Sequence, residues 1–145
     1  MKKIRVLAFV IACLLVLSIP VSAAEANVRT SAFFEMTQTY LYKVSNYTFQ
    51  IWFNVTATSG MDVLGVNEIK LQRSSNNSDW YTIKTYASDR YSQMLEEDTG
   101  SCVNYVSYTG MEGYYYRACV VFYAERNGSS SEMTCYTSPL YMPNV

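Results

Sequence analysis

Between Tyr47 and Ala57 apolar and polar residues alternate without a break. Tyr47, Phe49, Ile51, Phe53, Val55 and Ala57 fall on one face, and Thr48, Gln50, Trp52, Asn54 and Thr56 on the other. A side-chain period of two belongs to a strand with one buried face. The same period recurs in Thr37 to Val44, Val66 to Ser74, Trp80 to Tyr86, Ser101 to Thr109, Tyr114 to Glu125 and Ser131 to Ser138. Turn chemistry separates most of these runs: Asn46, Gly60, the cluster from Ser74 to Asp79, the pair Gly110 and Gly113, and Asn127-Gly128. Asn-Gly is the strongest hairpin signal among them, because both residues tolerate positive φ. Ala87 to Thr99 is polar, carries Glu96-Glu97-Asp98, and reads as loop. About seven short strands in roughly a hundred residues predict an all-β fold, an antiparallel two-sheet sandwich.

The N-terminus follows a different pattern. Met1-Lys2-Lys3-Ile4-Arg5 is basic, Val6 to Ile19 is apolar, and small residues follow Pro20. This is the layout of a cleaved signal peptide, with the apolar run too short to span a bilayer comfortably. It predicts residues 1–26 as signal peptide, residues 27–145 as one secreted, extracellular domain, and no membrane association after cleavage. Val10-Ile11-Ala12-Cys13 also fits a lipid-attachment motif, but apolar sequence continues well beyond Cys13.

Charge narrows the partners. Removing Lys2, Lys3 and Arg5 from the eleven basic residues and Glu25 from the twelve acidic ones leaves eight against eleven, a net charge of −3. A mildly acidic domain lacks the basic face that displaces counterions from nucleic acid. Tyrosine is in surplus: all fourteen lie beyond the signal, as do both tryptophans. Such residues suit half-buried pleated surface, and helix-favouring runs are missing there.

Several segments carry a resemblance. Ile69-Lys70-Leu71-Gln72-Arg73-Ser74 followed by Trp80 resembles the C and C′ strands of fibronectin-III-type domains. Gly113-Tyr114-Tyr115-Tyr116-Arg117-Ala118-Cys119-Val120 resembles their F strand, and implies that Tyr116 is a tyrosine corner, its ring buried and its hydroxyl bonded back to the chain. Asn127-Gly128-Ser129 and Tyr136-Thr137-Ser138-Pro139 look like the F–G hairpin and closing strand. Nearly the whole mature region is similar to small secreted single-domain proteins of anaerobic Gram-positive bacteria with an immunoglobulin-like or fibronectin-III-like domain. These motifs are structural and imply no activity.

Catalytic chemistry finds little to build on. The chain contains no histidine, which rules out Ser-His-acid and Cys-His machinery. Adjacent acids such as Glu96 and Glu97 rarely flank one glycosidic bond, and no D-x-D-x-D-G calcium spacing occurs. No cofactor, metal site or enzymatic activity is expected. Cys102, Cys119 and Cys135 lie beyond the signal. A hairpin centred on Asn127 sets Cys119 opposite Cys135, making them the candidate disulfide and Cys102 the odd thiol. Alternatively all three are reduced, small apolar residues.

The outward positions on the expected strands include Trp52, Tyr115 and Tyr123, the candidate binding residues. Surface tyrosines also stabilise cross-strand pairs with no ligand involved. The expected function is a secreted, non-catalytic interaction module for an extracellular protein or glycan. The alternative is a structural or assembly protein self-associating through edge strands or a free cysteine. Either a monomer or a weakly self-associating chain fits.

Overall fold

A computed structural model describes residues 32–144. The expected signal peptide and Cys13 lie outside the described residues. Seven strands, β1 (Phe34–Lys43), β2 (Thr48–Ser74), β3 (Tyr81–Ala87), β4 (Leu95–Thr109), β5 (Tyr114–Arg126), β6 (Ser129–Tyr136) and β7 (Leu140–Met142), form one antiparallel sheet curled into a half-barrel. A single 3-10 turn, Ser92–Met94, precedes β4.

The organising element is β2. Residues 48–57 pair with β1 on one side and β4 on the other, while residues 66–74 pair with β3 and β5. Between the two, Val63, Leu64 and Gly65 hold β4 and β5 at once. The sheet therefore has two arms: a first of β1, β2 and β4, and a second of β3, β2, β5, β6 and β7. Gly65 makes the crossing feasible. Its φ is +152°, and a Cβ there would fall on the Met94 carbonyl.

This continuity departs from the pattern-based expectation. Gly60 does not close the strand, because Met61 pairs with Thr99 of β4 and Val63 to Gly65 keep ladder partners on both edges. The ladder to β4 absorbs the bend through a register shift between Thr56 and Met61. Glu96-Glu97-Asp98 is not loop but the first turn of β4's ladder, with Glu96 opposite Leu64 and Glu97 opposite Val63. Polarity hid a strand whose side chains face water. A further short strand, β7, follows Pro139 and pairs Tyr115 with Tyr141.

The buried face of β2 is the expected one from Phe49 to Ala57, whereas Tyr47 is exposed. A bulge between Val66 and Glu68 lets both Val66 and Ile69 point inward, which a strict period of two forbids. Opposite them, Tyr116, Ala118, Val120, Phe122 and Ala124 of β5 complete a core shared by both arms. Each fully buried large apolar side chain contributes about 1.5–3 kcal/mol. Across the open side of the curl, the Thr37 hydroxyl of β1 donates to Met133 Sδ of β6 at 3.3 Å.

The resemblance-based expectation for Tyr116 holds. Its ring is fully buried, Met111 N–H donates to its hydroxyl at 2.7 Å, and the hydroxyl faces Met111 C=O at 3.3 Å. Asn127 (φ 51°) and Gly128 (φ 75°) form the two-residue turn between β5 and β6. A two-residue turn is centred between its residues, so Cys119 meets Tyr136 and Val120 meets Cys135. Directly opposed residues share a face and neighbours along a strand do not. Cys119 thus lies on the outer face and Cys135 on the core face. The expected Cys119–Cys135 bridge is not formed, and Cys102, Cys119 and Cys135 are free thiols.

Candidate functional site

The three candidate aromatics do not come together. Trp52 stands on the outer face of the first arm, whereas Tyr115 and Tyr123 stand on that of the second. Tyr115 and Tyr123 are themselves eight residues apart on one strand, roughly 27 Å. What each touches differs in kind.

Trp52 is the middle of a ladder. It pairs with Tyr40 of β1 and Tyr105 of β4, so three aromatic rings stand in one row across three strands. The Tyr40 and Trp52 rings are nearly parallel with centroids 6.3 Å apart, and Trp52 and Tyr105 are 4.8 Å apart, tilted by 35°. The indole N–H donates to Gln50 Oε1 at 2.9 Å, which fixes the ring. The row on one side is Gln38, Asn54 and Val103, and on the other Tyr42, Gln50 and Ser107. None of these nine side chains is charged. Tyr40 (45% exposed) and Tyr42 (57%) open to solvent, as does Val103. The signal for this face was in the sequence, at the even positions of residues 36–42 and 50–56 and the odd positions of 101–107. Reading it required the register that aligns Tyr40, Trp52 and Tyr105, and no single strand shows that.

The second arm uses its outward aromatics differently. The Arg117 guanidinium lies 4.4 Å from the Trp80 ring centre and 5.1 Å from that of Tyr136, and its Nε–H donates to Gln72 Oε1 at 2.8 Å. Tyr115 leans on Tyr141 at 4.7 Å. Tyr123 donates its hydroxyl to Glu125 Oε2 at 2.5 Å, and that bond, with burial, raises its phenol pKa above the ordinary value. Tyr136 shifts the same way, chiefly through its hydrogen bond with the Cys119 thiol. Lys70 and Glu68 pair at 3.0 Å. These side chains are matched to one another. Nearby, a cavity of about 360 Å³ opens beside the β2 bulge, lined by Asn67, Glu68, Ala87, Ser88, Asp89, Val121 and Glu132. Asn67 Nδ2–H donates to Glu132 Oε1 at 3.1 Å, and Ser88 Oγ–H to Asn67 Oδ1 at 2.9 Å.

The Cys102 thiol is not an activated one. Burial pushes Cys102 up to about 12 from 9.0, with the Glu96 carboxylate adding to the shift. A thiol that stays protonated is a poor nucleophile.

No protein-family model matches the chain, and no curated protein matches it either.

Proposed function

We propose that the chain is an exported, non-catalytic binding module whose contact surface is the outer face of the first arm, and that its ligand is an uncharged extracellular glycan. The observation that carries this reading is the Tyr40–Trp52–Tyr105 row flanked by Gln38, Asn54, Gln50 and Ser107. Aromatic rings offer apolar area at low entropic cost, which suits the C–H faces of sugar rings. The amides and hydroxyls beside them match sugar hydroxyls. A face without a charged side chain favours an uncharged ligand, since it supplies no counterion to a charged one. Missing histidine supports a non-catalytic role.

The finer fold assignment belongs to the same proposal. In a fibronectin-III-like sandwich the first arm is one layer and the second arm the other. The order β1-β2-β4 and β3-β2-β5-β6, the shared core and the Tyr116 corner all support it. Export rests on the pattern of residues 1–26, and N-terminal sequencing of protein from the medium tests it: an intact Met1 would defeat the cleavage claim.

The binding reading is tested by retention on neutral polysaccharide columns, with Trp52→Ala and the distant Trp80→Ala compared. Retention lost only in Trp52→Ala supports the first-arm face. Equal retention of both variants, or none of the native protein on any neutral glycan, rejects the reading.

A further inference from the structure

The first-arm face differs with direction. Along β2, Gln50, Trp52 and Asn54 present an amide, a ring and an amide in turn. Across the strands, like stands beside like. Tyr40, Trp52 and Tyr105 make one row, and the rows beside it, Gln38–Asn54–Val103 and Tyr42–Gln50–Ser107, are mainly polar. Rows on one face lie roughly 6.5–7 Å apart along a strand, and strands lie about 4.8 Å apart. The face is therefore an apolar stripe laid across three strands, roughly 10 Å between the outer two, with hydrogen-bonding groups along both sides. The Trp52 indole occupies the Gln50 oxygen and leaves the Gln50 amide N–H groups unspent. Among the described residues, no hydrogen bond engages the side chains of Gln38, Asn54 or Ser107. Because β1 and β4 each pair with β2 alone, the stripe reaches both edges of the arm.

We infer that this face takes a straight, equatorially linked neutral glycan chain, laid across the strands along the Tyr40–Trp52–Tyr105 row and held at an internal stretch. The shape and direction of the ligand rest on the glycan-binding reading above. When the links leave each sugar ring equatorially from opposite ends, the chain is straight. Its C–H groups then cover two broad faces and its hydroxyls project from two edges. One broad face lies on the aromatic stripe, and both edges meet amides and hydroxyls at once. A sugar residue in such a chain is about as long as one strand spacing, so successive sugars meet successive rings. A chain laid along β2 would meet the Trp52 ring alone. An α-linked chain of the same sugar coils, and a coil touches the stripe at one place. With the stripe open at both edges of the arm, the chain continues past the site in both directions.

The experiment is titration calorimetry of the purified protein with ladders of cello-, xylo- and acetylated chito-oligosaccharides, one to six sugars long. Malto-oligosaccharides of the same lengths are the coiled control. In at least one straight ladder, binding is expected to be undetectable for the single sugar, to rise steeply to three sugars and then to level off. At each length the malto series should bind about five-fold more weakly or worse, the cost of losing one ring contact. Tyr40→Ala and Tyr105→Ala should each weaken tetrasaccharide binding about five-fold or more, and Trp52→Ala about thirty-fold or more. Thr48→Ala and Thr56→Ala, further along β2 on the same face, should bind like the native protein. These side chains lie outside the core, and an unchanged near-ultraviolet circular dichroism spectrum checks each variant. Losses in the threonine variants with Tyr40→Ala and Tyr105→Ala unaffected would turn the chain along the strand and overturn the inference. So would malto-oligosaccharides that bind as tightly as the straight ladders. Retention on some neutral polysaccharide with no straight ladder bound overturns the inference and leaves the binding reading standing. A native protein that binds no neutral glycan overturns both.

Discussion

The two arms share a core and one strand, yet they dispose of their outward aromatics in opposite ways. On the second arm Trp80 and Tyr136 hold Arg117 between them, Tyr115 rests on Tyr141, and Tyr123 is bonded to Glu125. On the first arm the row of Tyr40, Trp52 and Tyr105 has only itself and neutral amides for company. Exposure alone therefore says little about function. An aromatic whose polar and cationic neighbours are already satisfied is a structural part of the sheet, and one flanked by unspent donors and acceptors is available to a ligand.

The most damaging test of this two-arm picture acts where the arms join. Gly65→Val puts a branched side chain at φ +152° and onto the Met94 carbonyl. Positive φ is a severe outlier for a β-branched residue, and Met94 is fully buried and cannot yield. A loss of about 3 kcal/mol or more is expected, read as the shift in urea midpoint. Because the core is shared, fluorescence and circular dichroism should move together. Separate transitions for the two arms would show that they fold as independent units.

Next in size is Tyr116→Phe. It removes the hydroxyl that satisfies the Met111 N–H, leaving that donor without its partner beside a buried ring. A cost of about 1–3 kcal/mol follows, with the ring's packing on Phe49 at 5.0 Å retained. Gly110→Ala probes the same corner, since its Cβ would sit 3.2 Å from both the Phe49 and Tyr116 rings.

Much of this was legible in the sequence, for physical reasons. The alternation from Phe49 to Ala57 named the buried face of β2, and Asn127-Gly128 named the β5–β6 hairpin, because one face of β2 is dry and the turn demands positive φ. Tyr116 was legible through a motif, since a buried tyrosine must find a partner for its hydroxyl. Three things were not. The continuity of β2 through Gly60 depends on partners far along the chain, from Leu95 to Thr99 of β4 and from Tyr123 to Glu125 of β5. The strand character of Glu96 and Glu97 was masked by side chains that face water. The cysteine register turned on half a residue, the difference between a turn centred on Asn127 and one centred between Asn127 and Gly128. The aromatic face failed in the same way: Trp52 was visible, but Tyr115 and Tyr123 belong to the other arm, and Tyr40 and Tyr105 joined Trp52 only through pairing.

Alkaline pH gives a smaller and graded effect that tests the burial of Cys102, on the first arm's inner side. Its folded pKa is raised, from 9.0 to about 12, chiefly by burial. The folded state thus favours the neutral thiol. That contribution is complete below pH 9 and is lost as pH climbs from 9 towards 12. Stability against urea should fall over this window, and Cys102→Val should flatten part of the decline. Tyr86, whose phenol is also held up by burial, acts in the same direction and sustains the rest. An unchanged slope in Cys102→Val would mean that the thiol is hydrated.

The smallest stability effects belong to the outer faces, and there the two arms separate most sharply. Trp80→Ala removes one of two rings around Arg117 while Tyr136 and Gln72 remain, so a loss of about 0.5–1 kcal/mol is expected. Trp52→Ala removes the centre of the Tyr40–Trp52–Tyr105 row, and a loss of about 0.5–1.5 kcal/mol is expected from the aromatic contacts. By thermal melting the two variants should be hard to tell apart. By glycan retention they should differ completely, because Trp80 is committed to a cation within the fold and Trp52 is not. A pair of variants equal in stability and opposite in binding would place the ligand on the first arm. A pair equal in both would make the row a cross-strand brace, the same role that the second arm gives its aromatics.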